Sequence, residues 1–555
     1  MSGARAKPPS ELLFLPLGGA GEIGMNLNLF CLDGKWLMVD CGITFGDDAT
    51  PGVDVMMPDP AFIVERRDNL IGLVLTHAHE DHIGAVPYLW RRLKCPIYAT
   101  PFTAAVLRRK LADVKLEGQV PLHIVPLEGR FDVGPFNIEL ITLTHSILEP
   151  NALVIRTKLG TVLHTGDWKF DPTPLIGPPP DYAGLRRVGD EGVLALIGDS
   201  TNVFREGTSG SESEVRTSLT ELVGRFRNRV AIASFASNLA RLETIEAVAK
   251  AHDRQAALVG RSLWRMYEAA RETGYMQKVR FLSAEDGAYL PRDRVLMAVT
   301  GSQGETNAAL ARIATGTHPD VVLEEGDAVI FSSRIIPGNE KAIGRLHDAL
   351  IARGIEVVTE NDHFVHVSGH PARGELVEMY QLVRPQVAIP VHGELRHMRA
   401  HAALAAECQV PATVVATNGQ MVRLAPGTTE IVDNVPSGRL AVDGLELLPL
   451  DGSTFRERKR ILWHGAVMAT VVLDDAGELL ADPKVSIHGL AEEGDDGPFI
   501  DLLIDAVEDA VEDMKPAQLR DDRAVQEAVR RALRRVAGAV KGKKPTTDVH
   551  VIRVD

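Results

Sequence analysis

Cysteine is scarce in this chain of 555 residues, and Cys31, Cys41, Cys95 and Cys408 are too widely spaced to form a C-x-x-C pair. That pattern fits a reducing compartment, argues against a disulfide framework and leaves any bound metal to His and Asp. Long apolar runs are missing too. No run of about eighteen uncharged apolar residues occurs, and the start Met1-Ser-Gly-Ala-Arg-Ala-Lys-Pro-Pro lacks the apolar core of a signal peptide. A cytoplasmic chain with no membrane partner is therefore expected. Positive charge is also short overall. The net charge of −15 counts against a polyanionic partner, because phosphate binding draws on Lys and Arg. Local clusters matter more than the sum. Arg91-Arg92-Leu-Lys94, Arg108-Arg109-Lys110, Arg225-Phe-Arg227-Asn-Arg229 and Arg456-Glu-Arg458-Lys459-Arg460 could line a groove, although such runs are more often solvated faces.

The chain is longer than one core usually supports, and 45% hydrophobic residues suit a globular protein of two to four domains. Up to about Gly207 it reads as short apolar strands between Gly, Pro and Asp turns: Leu27 to Leu32, Trp36 to Val39, Leu70 to Leu75, Ile138 to Leu143, Ala152 to Thr157, Val162 to His164 and Val193 to Ile197. Gly19-Ala-Gly21-Glu-Ile-Gly24 has dinucleotide-fingerprint spacing, but Met25 to Phe30 alternates like a strand and opens no helix, so that reading is rejected. From about Ser209 helices alternate with apolar strands, as in a parallel α/β unit, and His and Asp motifs resume at Ala388-Ile-Pro-Val-His392. The expected organisation is a first domain over 1–208 and 385–450, an insertion over 209–384, a linker over 451–463 and a small α/β domain over 464–555.

The chemistry concentrates in His77-Ala-His79-Glu-Asp81-His82, directly after the apolar run Leu70 to Leu75. His77 and His79 can reach one ion while Asp81 and His82 point to a second; two divalent ions would hold a shared hydroxide for attack on phosphorus or carbon. His145 and Asp167 follow further strands, and Asp167 could bridge the ions. His392 would supply the second ion's remaining ligand. Asp40, at the end of Trp36 to Val39, suits holding a ligand histidine by hydrogen bond, and Asp199 has a similar claim. The segment His363-Phe-Val-His366-Val367-Ser368-Gly369-His370 fits phosphate oxygens, with His370 the candidate general acid. Ser234-Phe235-Ala236-Ser237-Asn238 could hold an anion at a helix start, or could simply cap the helix.

His-x-His-x-Asp-His with the later His145, Asp167 and His392 resembles the metallo-β-lactamase superfamily, and the insertion resembles its β-CASP module. The nearest likeness is to the ribonuclease J family, carried by Gly18-Gly-Ala-Gly-Glu-Ile-Gly-Met-Asn26, Thr76-His-Ala-His-Glu-Asp-His-Ile-Gly84, His164-Thr-Gly-Asp-Trp-Lys-Phe-Asp171, Gly198-Asp-Ser-Thr-Asn202, Thr300-Gly-Ser-Gln-Gly-Glu305, Pro337-Gly-Asn-Glu340 and His366-Val-Ser-Gly-His370. The resemblance implies an α/β fold, an αββα sandwich with an inserted β-CASP domain and a small C-terminal α/β domain. It implies a ribonuclease with 5′-to-3′ exonuclease action on 5′-monophosphate ends together with endonuclease action, in messenger decay and ribosomal RNA maturation. Metal ligands carry over at His77, His79, Asp81, His82, His145, Asp167 and His392, with zinc the usual ion and manganese or magnesium possible. Asp81, Asp199 and His370 are the expected catalytic residues. Phe235, Ala236, Ser237, Asn238 and His366 to His370 are the expected substrate contacts. A structural calcium near Asp47 and Asp48, a homodimer or homotetramer, and RNA-decay partners are further implications.

Alternatives remain open at this level. They are a β-CASP nuclease restricted to internal cleavage or to DNA, a small-molecule metallohydrolase such as a thioesterase or lactonase, and a non-catalytic scaffold. The large insertion, which would overhang the site, argues against the second, and the complete ligand set against the third.

Overall fold

The computed structural model describes residues 10–46, 50–491 and 497–554 and divides into two units, to Val442 and from Asp443. Asp47 and Asp48 lie outside the described residues. In the first unit, an eight-stranded sheet runs in the order Glu430–Asn434, Gln420–Ala425, Leu12–Gly18, Leu27–Leu32, Lys35–Val39, Leu70–Val74, Ile97–Ala99, Leu122–Ile124. A seven-stranded sheet is ordered Arg130–Val133, Phe136–Thr142, Asn151–Thr157, Gly160–His164, Ala195–Asp199, Val387–Val391, Ala412–Thr413.

Side-chain alternation explains why the two sheets stack. In Asn151–Thr157, Leu153 and Ile155 enter a core shared with Phe14, Phe30, Leu37 and Val74 of the other sheet. Ala152 and Val154 turn the opposite way, into a second core with the helices Tyr182–Glu191, Arg373–Val383 and Leu395–Glu407. A strand buried on both faces reads as a continuous apolar run, and that is what made these strands visible. In the eight-stranded sheet the helices Val86–Leu93 and Pro101–Asp113 make the crossovers between parallel neighbours. The layering is the αββα sandwich.

The inserted region forms its own parallel sheet, ordered Gln255–Val259, Val295–Val299, Val230–Ala233, Ala328–Phe331, Glu356–Val358. Its end differs from expectation. Arg373–Val383 buries Leu376, Met379, Tyr380, Leu382 and Val383 against the seven-stranded sheet, so this helix belongs to the sandwich and the insertion closes about one helix before 384. Alternating texture reveals a helix but not the sheet it covers. Both crossings are stapled by Glu375, a buried carboxylate that accepts from the Phe170, Ser209 and Ala372 amides and from the Ser209 hydroxyl.

The second unit contains a three-stranded sheet, Lys484–His488, Ala466–Leu473, Thr546–Arg553, the last two parallel. Asp522–Lys541 buries Val525, Val529, Ala532, Leu533 and Ala537, one helical stripe; the Asp521 side chain caps its start and Gly542 in the left-handed region ends it. The stretch expected as a linker, 451–463, is largely the helix Ser453–His464, and its basic residues had masked the pattern. The boundary falls earlier than 450 because Arg439–Ala441 pairs with Met56–Pro58, which keeps the chain up to Val442 in the first unit. Among the described residues no helix is long and apolar enough to cross a membrane.

Candidate metal centre

Every side chain of the centre leaves the sandwich at a strand end. The strand Leu70–Val74 runs into Thr76 to His79 and a single helical turn, Glu80–Ile83. Backbone contacts fix this turn: the Asn26 amide donates to Asp81 O at 2.9 Å, Ile43 N to Glu80 O at 3.0 Å and Cys41 N to His82 O at 2.6 Å. Gly42 lies so close beneath it that an added Cβ would sit 1.7 Å from Asp81 O. The Gly-rich start therefore cradles the turn. The Gly19 carbonyl accepts from His392 N at 2.5 Å, and Ala20–Gly21 pairs with Gly393–Glu394, bringing the distant His392 alongside. Asp40 and His392 both adopt left-handed backbone, φ 61° and 50°, a strain typical of residues held for function.

Two donor groups result. In the first, His79 Nδ1 lies 3.1 Å from His77 Nε2 and 3.0 Å from His145 Nε2, with Asp167 Oδ2 at 3.9 and 3.8 Å from the latter two nitrogens. In the second, His392 Nε2 is 3.1 Å from Asp81 Oδ2, and His82 Nε2 is 3.6 Å from Asp81 Oδ2 and 3.2 Å from Asp167 Oδ2. Asp167 belongs to both. A tetrahedral zinc with bonds of about 2.0–2.1 Å separates its ligand atoms by about 3.3 Å, so both groups are of the right size and chemistry for a divalent ion.

The electrostatics agree. Burial, then the neighbouring imidazoles, hold His77 well below its ordinary pKa; burial and His79 do the same for His145. His79 is lowered to about 4, mainly by burial. All three are neutral near pH 7, as imidazole ligands must be. Burial opposes charge on His82 and His392 as well, but Asp167 and the other nearby carboxylates outweigh it and raise both. That excess of negative charge is what a cation would neutralise.

A third group joins Asp167, Asp199, His370 and His392. His370 Nδ1–H donates to Asp199 Oδ2 at 2.8 Å, and against the effect of burial Asp199 and Asp167 raise the His370 pKa. Its ring remains 23% exposed, whereas His77, His82, His145 and His392 are buried and, of the donor-group rings, His79 alone is half-buried.

The second nitrogens of the rings are also engaged. His82 Nδ1–H donates to Asp40 Oδ2 at 2.7 Å; His77 Nδ1–H donates to the Thr76 hydroxyl at 3.0 Å, which donates to the same carboxylate at 2.8 Å. His392 Nδ1–H donates to the Thr201 hydroxyl at 2.7 Å, and Thr201 donates to Asp199 Oδ1 at 2.7 Å. Thr76 and Thr201 were missed from sequence. Their signal was a hydroxyl beside a ligand candidate, too common a pattern to single out.

The expected substrate contacts divide. Phe235, Ala236 and Ser237 are half-buried at the cleft, with the Ser237 hydroxyl 3.1 Å from His79 Nε2. Asn238 is occupied elsewhere: it caps the helix Leu239–Ala251 through Arg241 N and donates to Glu212, so the plain capping alternative applies to it. The Val367 side chain is buried in the core, while Ser368 accepts from Asn202 and from His370 N. His366 Nδ1 is buried with no partner among the described residues, and burial together with Arg241, Lys169, Arg334 and Arg205 holds the ring neutral. Those four cations surround the segment. Members of three of the runs singled out from sequence are held by other partners: Arg109 pairs with Glu272, Lys110 with Glu80, Arg229 holds three backbone carbonyls, and Arg458 pairs with Asp443.

Comparison with known proteins fits this geometry. The sequence model described as metallo-β-lactamase superfamily matches residues 26–216, that of the ribonuclease J β-CASP domain 227–350, that of a Zn-dependent metallo-hydrolase RNA specificity domain 354–415, and that of the ribonuclease J C-terminal domain 453–554. A ribonuclease J of Sinorhizobium meliloti is 46% identical over 550 residues, covering 98% of each chain. The chain belongs to the ribonuclease J family. Family relatives from Mycolicibacterium smegmatis and Thermus thermophilus are 42% and 36% identical, covering 85% and 94% of this chain and 86% and 92% of theirs. A solved Enterococcus faecalis protein of unknown function shares the fold, with TM-score 0.51 and 16% identity over 74% of this chain and 100% of that one. Membership of the ribonuclease J family makes the chain a metal-dependent hydrolase of the nuclease class.

Proposed function

We propose that the chain hydrolyses RNA phosphodiesters, removing nucleotides 5′-to-3′ from 5′-monophosphate ends and also cleaving internally, in messenger decay and ribosomal RNA maturation. The observation that carries the reading is the pair of donor groups sharing Asp167, set against a buried, cation-ringed segment at His366. Two divalent ions, most simply zinc, would be held by His77, His79, His145 and Asp167 and by Asp81, His82, His392 and Asp167; bound there they act as Lewis acids and lower the pKa of water.

The chain's own residues do the rest. The exposed Arg334 and Arg205 draw phosphate towards His366 to His370, while Lys169 and Arg241 are buried in ion pairs with Asp171 and Glu212. His370 holds a proton, kept there by Asp199 and Asp167, and delivers it to the leaving oxygen. Burial of Asp167 and Asp199 strengthens the interactions among these charges. The chain acts as a homodimer or homotetramer, together with other RNA-decay proteins; Leu462 and Trp463, 62% and 72% exposed on the helix Ser453–His464, are apolar surface of the kind an interface uses.

The test is degradation of 5′-labelled and 3′-labelled RNA bearing monophosphate, triphosphate or hydroxyl 5′ ends, with a DNA control, before and after chelation. Release of single nucleotides from monophosphate RNA, stopped by chelator, is expected. Activity indifferent to chelator or confined to DNA would sink the proposal.

A further inference from the structure

The five histidine rings of the two donor groups find their second-nitrogen acceptors in two different domains. His82, His77 and His392 turn to Asp40, Thr76 and Thr201, all within the sandwich. The other two rings of the first group turn to the insertion and to the segment by which it returns. His79 presents Nδ1 to His77 and His145, so its proton sits on Nε2 and is donated to the Ser237 hydroxyl at 3.1 Å. His145 presents Nε2 to His79, and its Nδ1–H donates to the Gly369 carbonyl at 2.5 Å.

Neither acceptor is placed casually. Ser237 lies in the loop after the strand Val230–Ala233, and its neighbour Asn238 is bound to Glu212, which forms a buried ion pair with Arg241. Arg241 in turn donates to the carbonyls of Ser332 and Val365. The position of the Ser237 hydroxyl is therefore set by the insertion's own sheet. At Gly369 the backbone lies flush against the ring. An added Cβ would sit 2.7 Å from His145 Nδ1 and Cε1 and 2.7 Å from Ser146 Oγ.

We propose that the insertion is a structural part of the first metal site: Ser237 and Gly369 are positioning residues that fix His79 and His145 in the tautomer and orientation ligation requires, while the second-nitrogen acceptors of the second group, Asp40 and Thr201, lie in the sandwich. This rests on the two-ion reading above. A ligand histidine whose second nitrogen loses its acceptor can rotate and change tautomer, which lowers metal affinity by about 10–100-fold. The coupling is reciprocal, so an ion in the first group tightens the seating of the insertion by the same factor. Ser237 thus acts through His79, in contrast to a direct contact with substrate phosphate.

The full-length chain is loaded with zinc and dialysed against a graded series of buffered free-zinc concentrations, and zinc per chain is measured by mass spectrometry. Ser237→Ala should lose one ion at about 10–100-fold higher free zinc than the unaltered chain, with the second ion's curve unchanged, and Ser237→Thr should restore the first. Gly369→Ala should give the same selective loss by displacing the His145 ring. As an independent readout, zinc should slow amide hydrogen exchange in residues 234–238 of the unaltered chain, and less so in Ser237→Ala. A Ser237→Ala curve identical to that of the unaltered chain overturns the inference, and raised KM for RNA alongside it assigns the hydroxyl to substrate. Equal weakening of both ions also overturns it. An unaltered chain that takes up no zinc overturns the two-ion reading and this inference with it, a result distinct from the other two.

Discussion

The sandwich and the insertion meet at one cleft, and they contribute to it in different chemical kinds. From the sandwich come the donor atoms, on loops at the ends of Leu70–Val74, Phe136–Thr142, Gly160–His164, Ala195–Asp199 and Val387–Val391. The insertion presents the loops after the parallel strands Val230–Ala233 and Ala328–Phe331, the edge where open α/β sheets commonly bind ligands, and they carry Ser237 and Arg334. One domain supplies imidazoles and carboxylates; the other supplies the Ser237 hydroxyl and the exposed Arg334. A reaction that needs both makes the seating of one domain on the other part of the active site.

The largest expected effect breaks the sandwich side. His77→Ala removes a donor of the first group and should take RNA cleavage below detection, as chelation should, while RNA retention on filters persists; turnover in a metal-stripped variant would refute the two-ion reading. Next comes His370, which touches the cleft from the returning segment. His370→Ala should slow cleavage about 10²–10⁴-fold with zinc content unchanged, and a variant that drops zinc would make His370 a ligand. Its pH dependence has a defined sign. Asp199 and Asp167 raise the His370 pKa, the acid acts while protonated, and activity is lost as pH rises through that value. Asp199→Asn should therefore move the alkaline limb of the kcat profile to lower pH; a limb that stays in place assigns the acid elsewhere.

Smaller effects probe the insertion. Arg241→Met strands the buried Glu212 carboxylate and should destabilise the chain by about 3–5 kcal/mol in urea unfolding, because a lone buried charge is left behind. Smallest is Arg109→Ala, which removes the half-exposed pair with Glu272 between the helices Pro101–Asp113 and Arg261–Glu272. Solvent screening limits that loss to at most about 1 kcal/mol, so a larger shift in the unfolding midpoint would show that this contact governs seating.

Much of the fold was legible because burial writes itself into sequence. Asn151–Thr157 and Val230–Ala233 are apolar on both faces, and Asp522–Lys541 repeats its apolar residues every three to four positions. Other features were not legible. Ser453–His464 buries only Phe455 among charged neighbours and so read as a linker. Gln420–Ala425 pairs with Leu12–Gly18, some four hundred positions earlier, and Glu430–Asn434 pairs in turn with Gln420–Ala425, registers that no local pattern encodes. The cations about His366 come from Lys169, Arg205, Arg241 and Arg334, none of them in a basic run.

The sequence by itself determined the donor inventory: which histidines and aspartates exist, their spacing in the His77 to His82 turn, and their places at strand ends, because short-range spacing and strand periodicity are local properties. Only the tertiary structure decided how that inventory is used. It showed that Asp167 serves both groups, that Gly42 must lack a side chain beneath the turn, that Asn238 caps a helix, and that Ser237 and Gly369 face His79 and His145. The physical reason is the same in each case. Which ring nitrogen meets a metal depends on the acceptor beside the other one, and that acceptor arrives from a distant part of the chain.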